Sequence, residues 1–499
     1  MSEHYPVLII LAPLLAAFLN SALFWVDRRM CCPVTVLGIG ASLYFCIGLL
    51  IQVLGSGPVT YHLGGWAPPM GIELKIDHLS ALVLLLIPSI ALVNIMASRK
   101  NIHEELTFKR GPFYIVYLLF VAGLLGIVAT ADLFNLYVLL EITSLAAYAL
   151  LAMGDPDRAP LASLNYVFLG VIGASFYLLG VGYLYIMTGS LNMGDVQSLL
   201  PPISESPAIM AAFVFCLVGV WIKMGLFPLH TWMPNAYAYA PVSSNRLIAP
   251  LMTKVMVYVM IRIMISVFGL DYVFGQLALQ KWVIILASAA IIAGAIMALA
   301  QRDLLKMAAY IIVCEIGYMV GGVWLGNSAG MTGSILHIIN DVVMTFALFL
   351  AIGNIIYIQK KADFENLRGL FSSMPWTMAG LFLTGASIIG VPPTCGFFSK
   401  WYLILGGIEA GSALFVTALI LSSLISAILF FRIVEIAFFP EKNHPDYAEY
   451  DSDVPELKEA PISMLIPLGL AGTAVIAMGI WSGYIVQYVI LPFTQQGIN

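Results

Sequence analysis

The 499 residues are 61% hydrophobic and only 10% charged, where an ordinary soluble chain has about 25% charged residues. Twenty-two Lys and Arg with 27 Asp and Glu cannot coat the several domains that a soluble chain of this length forms. A net charge of −5 and 12% aromatics exclude a nucleic-acid-binding, collagen-like or disordered chain, which leaves a polytopic membrane protein.

Runs of about 20 apolar residues between charged or Gly/Pro-rich breaks predict an all-α fold of about 14 membrane-spanning helices, near 6–26, 31–54, 77–97, 113–131, 133–153, 161–188, 208–230, 247–268, 282–300, 306–326, 330–357, 377–408, 411–438 and 461–488. The first run, Pro6–Val26, follows only Glu3 and His4, so it lacks the basic start of a cleavable signal. The fourth and fifth are divided only by Ala131-Asp132. Chain order groups the spans as 1–112, the N-terminal helices; 113–268 and 269–439, five helices each; and 440–499, a loop and a last helix. Five is odd, so the second group is expected to lie inverted relative to the first.

Loop charge gives the orientation. Arg28, Arg29, Arg99, Lys100, Lys109, Arg110, Arg158, Arg246, Arg302, Lys306, Lys360, Lys361, Arg368, Lys442 and Lys458 fall at odd-numbered loops, while the others hold little beyond Lys75 and Lys281. By the positive-inside rule the first set is cytoplasmic and both termini lie outside the inner, cytoplasmic membrane. The longest loops, 55–76, 189–207 and 439–460, are too small for a catalytic domain, and the acidic Glu441–Glu459 stretch reads as solvated. No GxGxxG, P-loop or HExxH occurs in a supporting context. Cys31, Cys32, Cys46, Cys216, Cys314 and Cys395 form no CxxC or Cys/His ligand spacing. The sequence therefore predicts no metal, no cofactor and no redox or hydrolytic site in this chain.

Charges inside the spans carry the functional signal, because each costs at least about 2.5–3.5 kcal/mol near the bilayer centre. Glu141 is nine residues into its helix, about 14 Å deep at helical rise. Lys223 is read as well inside Val214–His230, five residues before Pro228. Lys254 lies eight residues from both Arg246 and Arg262, and Glu315, His337, Asp341 and Lys400 continue the series. Snorkelling is the competing explanation for Lys400, though mid-helix Lys254 is too deep for it. A static ion pair is the competing explanation for Glu141 with Lys223. Glu315 and His337 are read either as relay groups or as structural hydrogen-bonding groups. The functional reading is a row of ionisable groups that passes protons across the bilayer.

Two spans carry breaks beside these lysines, Lys223-Met-Gly-Leu-Phe-Pro228 and Gly390-Val-Pro392-Pro393-Thr-Cys-Gly-Phe-Phe-Ser-Lys400. Proline removes a backbone donor and opens the carbonyl one turn back. Interrupted helices of this kind are typical of transporter ion sites.

At these motifs the chain resembles the antiporter-like subunits shared by respiratory complex I, energy-converting membrane hydrogenases and Mrp-type cation/proton antiporters. The likeness rests on Asp132-Leu-Phe-Asn-Leu-Tyr-Val-Leu-Leu-Glu141, on Lys223-Met-Gly-Leu-Phe-Pro-Leu-His230-Thr-Trp-Met-Pro234, on Lys254-Val-Met-Val-Tyr258 with Arg262, and on Pro392-Pro-Thr-Cys-Gly-Phe-Phe-Ser-Lys400. Gly64-Gly65-Trp66 and Gly71-Ile-Glu-Leu-Lys-Ile-Asp77-His-Leu-Ser80 extend it over most of residues 60–440. The Asp132–Glu141 segment and His337-Ile-Ile-Asn-Asp341 look most like the D-type subunits of the Mrp Na+/H+ antiporters.

The resemblance implies that Glu141 and Lys223 form a charge-switching pair, that Lys254 connects the halves and that Lys400 is the exit group, with His230, Glu315, His337 and Asp341 as possible relay members. It also implies partner membrane subunits and H+ and Na+ as the transported ions. Asn235, Tyr237, Asn245 and Thr345 depart from the family pattern, a lysine being usual at the last; a lysine placed at 345 is expected to pair with Asp341 one turn earlier. Two other assignments share these residues. One is a proton-pumping subunit of a complex I-type quinone reductase or membrane hydrogenase, and the other is a non-conducting scaffold.

Overall fold

Inside hydrocarbon every backbone N–H and C=O must find its partner within the protein, so the apolar runs fold as helices and polar caps fall where they end. The computed structural model describes residues 2–107, 109–155, 157–361, 363–439 and 457–498. Among these, thirteen helices are long and apolar enough to cross a membrane. The chain runs through α1 (Tyr5–Val26), α2 (Cys31–Ser56), α3 (His78–Glu105), α4 (Arg110–Ala129), α5 (Leu133–Ala152) and α6 (Ala159–Thr188), then the short α7 (Met193–Leu199). It continues through α8 (Pro207–Met224), the short α9 (Met233–Tyr239), α10 (Val242–Arg262), α11 (Gln280–Ala300), α12 (Leu304–Trp324) and α13 (Ser328–Gln359). The one-turn α14 (Leu370–Ser373), α15 (Pro375–Ile389), α16 (Cys395–Glu409), α17 (Ala413–Phe438) and α18 (Ile462–Ile480) complete the order of larger elements.

The structure departs from the expected elements in two places, the 55–76 loop and the last span, and fixes where the two expected breaks fall. The 55–76 loop holds a small antiparallel hairpin of β1 (Val59–His62) and β2 (Glu73–Ile76) beside the all-α bundle. The 208–230 span stops at Met224, where Gly225 takes a left-handed φ of 76°. The 377–408 span is two helices of 15 residues, α15 and α16, because Gly390 turns left-handed at φ 94° and Pro392 and Pro393 follow. The last span ends at Ile480 and gives way to short helical turns. Lys442 and most of Glu441–Glu459 lie outside the described residues.

Three helix starts share one device. Asp77, Asp132 and Asp303 each precede a helix and accept a backbone N–H of its first turn, from Ser80 at 3.0 Å, Asn135 at 2.6 Å and Lys306 at 2.8 Å. Such a cap lets α4 and α5 turn within the Ala131-Asp132 break. The bare N–H groups beside it reach Glu73 O (2.9 Å) in the hairpin and Leu191 O (2.8 Å) in the following loop.

Helices α10 and α13 form the centre, each packed on both sides by neighbours. The odd-numbered loops meet at one end of the bundle. There Asp155 N donates to Tyr239 O, Phe364 N to Arg302 O and the Tyr357 hydroxyl to Glu104. The hairpin, α7 and the loops before α5 and α11 meet at the other end, where Asn192 donates to Glu73 and Gln197 to Ile265 O. Arg246 leaves the loop set in which its sequence position places it: it is fully buried between α10 and α13.

Helices α6 and α8 approach through Gly173 and Gly219. A Cβ on Gly219 would meet Gly173 O at 2.6 Å and Tyr177 N at 2.7 Å, both rigid backbone atoms. Gly219→Ala is therefore expected to force the helices apart at a cost of about 1–3 kcal/mol. A lower thermal midpoint of the detergent-purified protein checks this, and an unchanged midpoint shows that the close approach is not required.

Candidate functional site

Lys223 stands in the last turn of α8, one residue before the helix ends, and not deep in a continuous span. The breaking of the helix at Gly225 leaves its carbonyl end, the negative end of the helix dipole, beside the lysine. The ammonium donates to Glu141 Oε1 at 2.9 Å and to Ser144 Oγ at 2.7 Å. Ser144 follows Glu141 by three residues on α5, so both face α8. The pair is asymmetric, with Lys223 2% exposed and Glu141 26% exposed. Its neighbours Val138, Ile142 and Leu145 are also exposed, which puts Glu141 on the outer flank of the bundle.

His230 lies in the turn that follows Pro228, packed on the rings of Phe227 (5.3 Å) and Tyr310 (5.8 Å). It forms no hydrogen bond with the predicted charged groups, and its Nδ1 has no partner among the described residues.

A second cluster joins α10 to α13. Lys254 Nζ lies 3.0 Å from Asp341 Oδ2, a charge contact off the line of a hydrogen bond, and donates to Thr345 Oγ1 at 3.1 Å. Thr345 in turn donates to Asp341 Oδ1 at 2.8 Å. The missing lysine thus leaves no gap, because Lys254 reaches across from α10 to the same carboxylate. A lysine at 345 would bring a second ammonium to a charge already paired, which reverses the expectation drawn from spacing alone.

The third cluster begins one turn earlier on α13. His337 Nε2 lies 2.5 Å from Glu315 Oε2, and Nδ1 lies 2.8 Å from Ser399 Oγ. The ring therefore bridges a carboxyl on α12 to the residue preceding Lys400 on α16. Lys400 forms no ion pair among the described residues. It donates to Ile388 O at 2.6 Å and Ser423 Oγ at 3.1 Å and sits 4.8 Å from the centre of the Tyr318 ring. Ile388 is in the last turn of α15, so the break at Gly390, Pro392 and Pro393 offers Lys400 the carbonyl end of a half-helix. His337, Asp341 and Thr345 recur every four residues, one stripe along α13 that serves two clusters.

At the end holding the hairpin, Arg262 forms a two-pronged ion pair with Asp77 and donates to the Tyr258 hydroxyl at 2.9 Å. Burial pushes the Asp77 carboxyl up, but the Arg262 guanidinium and the Ser80 N–H outweigh it and hold the group at about 2. Among the described residues no hydrogen bond or ion pair joins the Glu141–Lys223 cluster to Lys254. Nor does any group of three His, Cys, Asp or Glu stand ready to hold a metal.

Sequence reasoning missed Ser144, Ser399, Ser423 and Tyr318 as partners. Three of them carried a signal, Ser144 and Tyr318 three residues after Glu141 and Glu315 and Ser399 adjacent to Lys400; Ser423 sits on another helix, at no telling spacing.

The family described as NADH:quinone oxidoreductase/Mrp antiporter, TM, matches residues 130–426. The chain is 40% identical over 505 residues to NADH-quinone oxidoreductase subunit N of Desulforudis audaxviator, covering 98% of each protein. It is 30% identical over 467 residues to the D-type subunit of a Na(+)/H(+) antiporter from Bacillus subtilis, covering 93% of each. Its fold matches a chain of the membrane-bound sulfane sulfur reductase, an archaeal respiratory membrane complex, with a TM-score of 0.88 at 27% identity over 99% of both chains. The chain therefore belongs to the NADH:quinone oxidoreductase/Mrp antiporter family of ion-translocating, antiporter-like membrane subunits.

Proposed function

We propose that this chain carries protons across the cytoplasmic membrane by switching buried charges, as one subunit of a larger Mrp-type Na+/H+ antiporter. The observation that supports this best is the set of three ionisable clusters within the spans, Glu141–Lys223, Lys254–Asp341 and Glu315–His337–Ser399 beside Lys400. Helix packing alone does not call for so many charges, since apolar residues of similar volume hold helices together as well or better. A proton or cation arriving at Glu141 leaves the Lys223 ammonium unpaired in a dry site, which favours release of its proton. His337, held between a carboxyl and a hydroxyl, suits hand-off between them. We read 113–268 and 269–439 as inverted halves, each with a lysine at the carbonyl end of a broken helix. Glu141, a quarter exposed at mid-span, supports a partner subunit on the α5 flank, because lipid there would meet a carboxylate.

A redox-driven pump is the second reading, favoured by the 40% identity to a quinone-oxidoreductase subunit over almost the whole chain. Purifying the complex through a tag on this chain separates the two. Antiporter partners with Na+-dependent proton flux support the first, and electron-transfer partners with quinone- or sulfur-dependent flux support the second.

In inverted vesicles at matched assembly, Glu141→Gln is expected to lower driven proton transport at least tenfold, and near-normal transport would sink the paired-charge mechanism. Lys400→Ala should abolish transport; full activity would mean that the second half does not conduct and would favour a scaffold role. Single cysteines at Lys100 and Lys361 should be labelled from the cytoplasmic side and one at Gln197 from outside. The reverse pattern overturns the orientation.

A further inference from the structure

The seam between α10 and α13 runs from the basic end of the bundle to its middle, and the same order can be read on both helices. At the basic end a 430 Å³ cavity has Glu105, Asp155, Asp303, Lys360 and Lys361 as its charged lining, and Val242 of α10 and Ile356 of α13 line it too. One turn deeper, Arg246 of α10 donates to Phe349 O, Leu350 O and Asn354 Oδ1 of α13, the last at 3.0 Å. Eight residues further on, about 12 Å at helical rise, Lys254 meets Thr345 and Asp341. Arg246 thus stands between the cavity and the central ion pair on both helices.

Along this stretch of the two helices, Ser243 Oγ, Arg246 Nη1 and Thr253 Oγ1 of α10 and Asn354 Nδ2 of α13 are buried with no partner among the described residues, and such atoms are the ones that water satisfies. A polar file from an open cavity to Lys254 would let protons reach the central pair without passing the other clusters. Unlike Lys223, Lys254 and Arg262, Arg246 forms no ion pair among the described residues. Its guanidinium does not deprotonate, so its charge is fixed. Helix α13 makes room for it at Gly353, where a Cβ would come within 2.4 Å of Arg246 Nη2.

We propose that Arg246 is an electrostatic seal. It repels hydrated protons and cations in the basic-end cavity, as an arginine does in a selective pore, and so keeps them from running down the α10–α13 seam to Lys254. The central pair then exchanges protons only sideways, with the Lys223 and Lys400 clusters. This assignment rests on reading the chain as a proton carrier.

The test uses the whole complex in proteoliposomes, with no driving substrate and no cation gradient, a potassium/valinomycin potential and an internal pH dye. Arg246→Gln keeps a donor for the α13 carbonyls but removes the charge, and is expected to raise passive proton influx at least tenfold. Adding Lys254→Ala should remove that extra influx. Native tightness in Arg246→Gln overturns the seal, and so does a leak that persists without Lys254, since that is the mark of loosened packing. Should Arg246→Gln fail to assemble, Ser243→Asp supplies the missing carboxylate one turn earlier while keeping the arginine; it is expected to open the same leak, and its tightness overturns the proposal. The two readings fail separately. Driven transport surviving in the Glu141 and Lys400 variants removes the carrier reading, whereas its loss there with a tight Arg246→Gln removes only the seal.

Discussion

The contact on which the rest of the bundle depends is Lys254 against Asp341, two opposite charges held 3.0 Å apart at the dry centre. Removing one partner from such a pair costs about 3–5 kcal/mol, because the other is left charged and unsolvated. The surrounding helices answer that constraint. Thr345 ties both members together, and α10 and α13 are buried along almost their whole lengths by neighbouring helices. A helix enclosed on all sides can hold ionisable groups at intervals along its length, which is how α13 serves two clusters with His337 and Asp341 one turn apart.

The two broken helices solve a related problem. An ammonium at membrane depth needs negative charge close by, and a helix interrupted in mid-bilayer presents free carbonyls and the negative end of its dipole there. Lys223 uses the end of its own helix and adds a carboxylate from α5. Lys400 uses the end of the preceding half-helix, through Ile388 O, and adds a hydroxyl and an aromatic face. The first lysine therefore touches a carboxylate directly and the second touches only a carbonyl, a hydroxyl and a ring, so the two halves respond differently when a proton arrives next to them.

The two ends of α10 also differ. Arg262 is neutralised by Asp77, itself fixed as the cap of α3, so that end is latched by a pair with no net charge. Arg246 at the other end rests on carbonyls and an amide and keeps its net charge. The central lysine lies between a neutral latch and a positive one, and access to it along α10 is accordingly unequal from the two faces.

The sequence alone determined the membrane class, the approximate spans, the alternation of loop charge and the identities of the buried ionisable groups. These follow from local rules: a span needs about 20 apolar residues, and each charge within one is visible as an exception. The helix starts at Asp77, Asp132 and Asp303 are local for the same reason. Tertiary structure decided most of the partners. Glu141 and Lys223, 82 residues apart, were paired beforehand only through the resemblance, whereas His337 and Ser399, 62 apart, are brought together by the fold alone. Spacing suggested a new lysine for Asp341 at 345, whereas the fold supplies Lys254 from another helix, and it moves Arg246 from a loop into the core. The physical reason lies in the solvent. A helix in water shows its buried side as an apolar stripe, but a helix in lipid is apolar all round, so its sequence does not say which face turns inward or which neighbour it meets.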